Sequence, residues 1–401
     1  MEIEKPHLFL EINEKNFIFL VVKYDEDFNF KVIYSHSIKS EGILDGKITN
    51  IESSSKIIKD CLNLVEKKVG FIFTNVTVIN DQDNFSCINI SGFKKLGGSQ
   101  ILDEDISYLL NNIKKLILDN HSDKSLIHLF NSNFFLDHNV AKDPPIGLHG
   151  DFYNQHLTFF LLPKNGLKNL KMLLNKCNLN IEKIVLKSFT QGIQKIIKTN
   201  FKETFAIINF GKNKSNISIF NNLSFVYSES FYFGTDTMMK DVSKVCSLNS
   251  TNVENIFSQL NFDFLADDKK EKYLEKSYFK DETFRKISLN HIKDIIMARA
   301  EELVNLVYKK NINLENLRNE VKIVYLSFED QNILKNLKKS FRIIFLDKGK
   351  NIEIQEETQD EHLASCLASA ELKGKGWERE AIPTIQTKKS IISKIFSTFF
   401  K

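Results

Sequence analysis

The chain has 401 residues, enough for two or three compact units, and its 42% hydrophobic and 26% charged content is that of a globular protein. A net charge of +4 exerts no global pull on nucleic acid. The five cysteines, Cys61, Cys87, Cys177, Cys246 and Cys366, form no C-x-x-C pair, which argues for reduced thiols in a cytoplasmic protein and against a disulfide framework or zinc site. The acidic start, Met1 to Phe9, runs directly into strand-like sequence and reads as no signal peptide. No window approaches the ~20 uninterrupted apolar residues that a bilayer span requires.

In chain order, residues 7–23 read as strand, polar turn and strand, with the turn between Glu11 and Asn16, and 30–38 as a third strand. A loop with two glycines, Gly42 to Asn50, precedes an amphipathic helix over Ile51 to Lys67, with apolar positions at Ile57, Ile58, Cys61, Leu62 and Val65. Strands at 70–79 and 84–91, a helix at 103–119 with an acidic first turn, and strand-like 125–141 follow. After Pro144-Pro145 come strand 156–162, helix 165–177, strand 183–186 and helix 189–198.

Residues 205–220 repeat the opening pattern. An apolar run, Phe205 to Ile208, enters a polar turn, Asn209 to Asn216, and a period-two run follows through Ile217 and Ile219. Such a turn aims backbone N–H groups at one spot, a nest that attracts phosphate. Helix 238–245, a polar section 248–286, helix 289–309, strand 321–326, helix 332–340, strand 341–345 and helix 362–372 complete the folded part. Strand–turn–strand units opening near His7 and Phe205 indicate an α/β architecture in two similar halves.

These features resemble the actin/sugar-kinase/heat-shock-chaperone superfamily and, within it, the bacterial cell-division FtsA family. The resemblance rests on Glu11-Ile12 at the first hairpin, Glu41 to Ile48, and Asp143-Pro-Pro-Ile-Gly-Leu-His-Gly150. It continues with Leu174 to Leu179 ahead of Ile184, Phe233-Gly-Thr-Asp-Thr-Met-Met-Lys-Asp-Val242, and Ile295-Ile-Met-Ala-Arg-Ala-Glu-Glu-Leu303. It implies a two-lobed actin-like fold with an inserted small subdomain. The expected segments are 1–83 and 165–200 in the first lobe, 84–164 as the insert, and 201–246 and 291–350 in the second lobe. A fourth subdomain at 247–290, a return helix at 351–372, a linker at 373–387 and a terminal helix at 388–401 complete them.

The resemblance also implies a nucleotide pocket made of Glu11, Lys15, Asn16, Asn209, Gly211, Lys212, Lys214, Gly234, Thr235, Arg299, Glu302 and Ser327. Its motifs are degenerate. Where the family carries I-G-T, D-I-G-G-G-T and T-G-G, this chain has Ile12-Asn13-Glu14, Asn209-Phe-Gly-Lys-Asn-Lys214 and Leu326-Ser-Phe328. Replacing a glycine that needs positive φ costs about 1–2 kcal/mol, and Asn209 lacks the charge of the family's metal-shell aspartate. Lys15, Lys212 and Lys214 are cations that a triphosphate would meet, but in a lysine-rich chain they read first as solvated side chains. The resemblance implies ATP with Mg²⁺ as cofactor, whereas the substitutions point to weak or absent binding, no catalytic residue, no metal ligand and no enzyme activity.

At the end of the chain, Ile391, Ile392, Ile395, Phe396, Phe399 and Phe400 fall within about half of a helical wheel, opposite Ser393, Lys394, Ser397, Thr398 and Lys401. With Lys388 and Lys389 this is the pattern of a helix lying in a membrane interface, too short to span. The resemblance then implies a cytoplasmic adaptor on the inner membrane at the division site. It would bind the C-terminal tail of the tubulin-like FtsZ and other division proteins, and self-associate into filaments. Lys269, Lys270, Lys272, Lys276 and Lys280 are cations for an acidic tail, or a solubilising loop. The alternatives are an active ATPase related to chaperones or sugar kinases, and a pilus-assembly adaptor of the same superfamily.

Overall fold

A computed structural model describes residues 5–44, 46–82, 84–141, 143–262, 272–345, 351–354 and 363–381. The chain divides into two compact units. One comprises Met1–Lys202, Phe220–Tyr227 and Gln359–Lys401; the other comprises Glu203–Ile219 and Ser228–Thr358.

In the first unit, β1 (His7–Ile12), β2 (Asn16–Tyr24) and β3 (Phe30–Lys39) form an antiparallel meander with His7 opposite Val22. A small hairpin, β4 (Ile43–Leu44) and β5 (Lys47–Ile48), leads to α1 (Ile51–Val69). The Asn50 side chain caps α1 by accepting the Glu52 and Ser53 N–H groups, and Gly70 ends it with φ 71°. Strand β6 (Asn75–Asn80) then lies parallel to β1. Next come β7 (Ser86–Lys95), α2 (Asp103–Asn120), β8 (Lys124–Leu136), β9 (Asn139–Ala141) and β10 (Phe152–Pro163), whose strands make a separate sheet in the order β7-β10-β8-β9. The chain returns through α3 (Lys164–Lys176), β11 (Asn180–Leu186) and α4 (Lys187–Thr199), giving the main sheet the order β11-β6-β1-β2-β3.

Strands β1 and β2 are apolar on both faces and buried on both, which places them at the centre of the unit. Leu8, Leu10, Phe17 and Phe19 meet Ile58, Leu62 and Val65 of α1 and Leu173 and Leu174 of α3. The separate sheet buries Leu129, Leu157 and Phe159 against Ile106, Leu110 and Ile113 of α2. Gly192 in α4 lets the Phe220 ring lie on the helix backbone, since a Cβ there would stand 1.9 Å from Cζ of that ring.

The second unit repeats the plan. Strands β12 (Phe205–Phe210), β13 (Ser215–Asn221) and β14 (Ser224–Phe231) are followed by α5 (Asp236–Cys246), α6 (Ser250–Gln259), α7 (Leu289–Val304) and α8 (Glu315–Glu320). Then come β15 (Ile323–Phe328), α9 (Gln331–Phe345) and β16 (Asn351–Ile354), in the sheet order β14-β13-β12-β15-β16. As β6 and β11 extend β1 in parallel, β15 is parallel to β12 and β16 to β15. Both sheets are thus a three-strand meander extended by two parallel strands, and they begin at His7 and Phe205 as the sequence predicts. The last helix among the described residues, α10 (Ala364–Lys375), packs its Cys366 and Ala370 with Phe9 and Leu20 of the first unit.

Four local expectations are corrected. Phe341–Phe345, expected as a strand from its aromatic and β-branched run, is the end of α9, because Leu337, Phe341 and Phe345 are buried at helical spacing. The polar section 248–286 contains α6, capped by Asn249 and burying Val253, Ile256 and Phe257. Strand β14 has no clear strand pattern in the sequence, because its serines and glutamate mask the alternation. The expected linker does not begin at 373, and its residues 382–387 lie outside the described residues. Lys373 and Gly374 are buried in α10, and Trp377 to Ala381 are packed as described below.

Candidate functional site

In the first unit the turn between β1 and β2 is held by its own side chain. Asn13 Oδ1 accepts the N–H groups of Lys15 (3.0 Å) and Asn16 (2.8 Å), an Asx turn that occupies amides a phosphate would otherwise meet. Ser40 ties the same turn by donating its N–H to Lys15 O and its hydroxyl to Glu14 O. Lys15 itself is exposed. Glu11, 2% exposed, accepts from Asn13 Nδ2 at 2.9 Å and pairs with Lys187 Nζ at 3.0 Å. Lys187 also reaches Asp81 Oδ2 at 3.0 Å. Burial would lower the Lys187 ammonium, but Asp81 and then Glu11 outweigh it and raise it above the ordinary lysine value.

In the second unit the corresponding turn is also closed on itself. Gly211 N–H donates to Lys214 O (2.9 Å), and Lys212 N–H to the Glu329 carboxylate (2.9 Å). The Gly234 loop lies directly on this turn: a Cβ on Gly234 would be 2.2 Å from Gly211 O, so only glycine fits. Thr235 and Asp236 donate their N–H groups to Gly211 O and Lys212 O, at 2.9 and 3.0 Å. Asn209 bonds to Asn216 (2.8 Å) and accepts from the Ser327 hydroxyl beside it on β15. Arg299 spends its guanidinium on Asp241 and on Glu302, each at 2.5 Å, tying α7 to α5. The structure therefore brings Asn209, Ser327, Gly211, Lys212, Gly234 and Thr235 together, while Arg299 and Glu302 form a separate ion-pair group.

The C-terminal stretch of the described chain is built into the first unit. Ala381 N–H donates to Leu129 O at 2.7 Å and Asn131 N–H to Arg379 O at 3.1 Å, adding a short antiparallel bridge to β8. The Trp377 indole N–H donates to Leu223 O at 2.6 Å, with its ring edge against Phe189. Between them Glu380, fully buried, meets His128 Nδ1 at 2.5 Å and Lys183 Nζ at 3.0 Å. Leu186 N–H donates to His128 Nε2 at 3.1 Å, so Nε2 is bare and the ring carries its proton on Nδ1. Burial lowers the His128 value below its ordinary 6.5, against the pull of Glu380, so the ring is neutral. For Glu380 burial alone would raise the carboxyl; Lys183 and His128 outweigh it and hold it below the usual range.

The sequence pointed to Glu11 but missed Lys187 and Asp81, which lie far along the chain and meet it only when β1, β6 and β11 align. It likewise missed Glu329, one residue beyond β15. The signal that remains readable is a lysine at the junction from an apolar strand to a helix. Of the lysines expected for an acidic tail, Lys272, Lys276 and Lys280 are exposed, and Lys280 is anchored through its backbone to buried Asn252. Lys269, Lys270 and the whole stretch 388–401 lie outside the described residues. Among the described residues no helix is long and apolar enough to cross a membrane.

No family model matches the chain. It is 21% identical over 307 residues to the cell-division protein FtsA of Buchnera aphidicola subsp. Acyrthosiphon pisum, covering 76% of this chain and 73% of that one. To FtsA of Neisseria meningitidis serogroup B it is 20% identical over 301 residues, covering 74% and 72%. The structure of a PilM–PilN type IV pilus biogenesis complex aligns with a TM-score of 0.56 at 9% identity, over 92% of this chain and 98% of that one, a likeness of fold alone. Similarity along three quarters of the sequence, together with the actin-like ATPase fold, makes this chain a divergent relative of the cell-division protein FtsA.

Proposed function

We propose that the protein is a cell-division adaptor that acts by binding: it holds FtsZ polymers to the inner membrane through FtsZ's acidic C-terminal tail, recruits later division proteins, and assembles head to tail. The observation that carries the binding mode is the closure of both turns. Asn13 and Glu329 take up backbone amides that a nucleotide phosphate would need, and Glu329 adds a negative charge beside that place. Adaptor function survives such closure because it resides in surfaces rather than in a reaction. Head-to-tail contacts between copies are heterologous and yield filaments when the rotation does not close.

The expected result is saturable binding of a fluorescent FtsZ-tail peptide, equal with and without Mg·ATP and weakened by salt. Reversing the charges of Lys272, Lys276 and Lys280 together is expected to weaken it several-fold. Absence of binding to that peptide contradicts the reading. The PilM–PilN likeness gives a second reading, a pilus-assembly adaptor, and a PilN-derived peptide in the same assay separates the two.

A further inference from the structure

In an open α/β sheet, ligands gather at the carboxyl ends of the parallel strands. In the first unit those ends are Ile12 of β1, Asn80 of β6 and Leu186 of β11. Two carboxylates converge there, Glu11 at the end of β1 and Asp81 one residue past β6. Hard oxygen donors of this kind are the chemistry that holds Mg²⁺ or Ca²⁺. Yet the group between them is the side chain that opens α4: Lys187 Nζ stands 3.0 Å from Glu11 Oε1 and 3.0 Å from Asp81 Oδ2. Asn13 Nδ2 donates to the same Glu11 Oε1 at 2.9 Å. Asn80 and Gln82, the amides beside Asp81, are bonded to each other at 3.3 Å.

We infer that the Lys187 ammonium is this chain's resident cation and that it closes the Glu11–Asp81 oxygen pair to divalent metal. The Mg²⁺ that the fold implies alongside nucleotide does not fit here. An ion bridging the same oxygens would sit within roughly 4 Å of the ammonium and be repelled by it. Glu11, buried to 2% exposure, needs a counter-charge, and Lys187 supplies one permanently. The inference rests on the geometry of the first unit alone and stands apart from the adaptor reading.

The test is thermal melting of the full-length protein in MgCl₂ or CaCl₂ against NaCl of equal ionic strength. The wild-type midpoint is expected not to move beyond the NaCl control. Lys187→Met, which keeps the length of the side chain but not its charge, is expected to melt roughly 10 °C lower, because two carboxylates lose their partner. Millimolar Mg²⁺ or Ca²⁺ is then expected to restore several degrees by binding the vacated oxygens. Restoration is expected to vanish in Lys187→Met combined with Glu11→Gln. A wild-type midpoint that rises with Mg²⁺, with the rise lost in Glu11→Gln, overturns the inference. A Lys187→Met variant that folds but gains nothing from either ion also overturns it. Should Lys187→Met fail to fold, the wild-type and Glu11→Gln titrations decide the matter by themselves.

Discussion

Deleting residues 388–401, or changing Phe396 and Phe400 to glutamate, is expected to release the protein from anionic liposomes, lowering the bound fraction about tenfold or more while leaving the body folded. Six large apolar side chains share one half of that segment. Complete burial would contribute about 1.5–3 kcal/mol each, and partial insertion a fraction of that. Each lysine near anionic lipid adds about 1 kcal/mol, while ordering the segment opposes binding. On the proposed reading the balance is a reversible attachment, which assembly of several copies would strengthen by avidity. Flotation with liposomes, read beside a melting curve, separates the outcomes. Continued flotation of the truncated protein places the anchor elsewhere; early melting assigns the segment to the core. The packed stretch Trp377 to Ala381 matters here because it fixes the root of this tail on the first unit. Residues 373–381 are therefore part of the folded first unit.

Glu380→Gln is expected to cost roughly 3–5 kcal/mol, because it leaves Lys183, itself 8% exposed at the side chain, as an uncompensated buried charge. It also weakens the hydrogen bond from His128. The same cluster sets a pH dependence. The His128 value in the folded protein lies below its ordinary 6.5, so as pH falls the unfolded chain takes up the proton first. Its contribution to stability is therefore whole above 6.5 and drains away as pH drops below it. Glu380, also held below its ordinary 4.5, adds a second loss of the same sign at lower pH. Melting curves between neutral and mildly acidic pH are expected to show a falling midpoint for the wild type. His128→Gln, which can donate to Glu380 and accept from Leu186 N–H without titrating, should flatten that fall. A pH profile unchanged by His128→Gln would show that the buried imidazole does not control it.

The fold was legible where the pattern is local. The two strand–turn–strand openings and α1 follow from local pattern alone. Phe341–Phe345 misled because the same residues that favour a strand serve α9 equally well once Phe210 and Phe328 offer Phe341 a place to pack. Glycine substitution in the turns was visible, and with it the expectation of poor nucleotide binding. What replaced the glycines was not. Asn13 folding back on Lys15 and Asn16 is local and readable in principle, whereas Glu329 on Lys212 and Lys187 on Glu11 are pairings that exist only after distant strands align. The His128–Glu380–Lys183 cluster was invisible for the same reason, and its Glu380 lies in a stretch whose composition reads as linker.

The proposal that the protein works by binding rather than by nucleotide chemistry rests on turns closed by its own side chains. Calorimetric titration of the full-length protein with Mg·ATP tests this most directly. The expected result is no saturable heat and no turnover. A sub-micromolar dissociation constant, lost when Lys212 and Lys214 are changed to alanine, would contradict it and show that the lysines had taken over the task of the missing glycines.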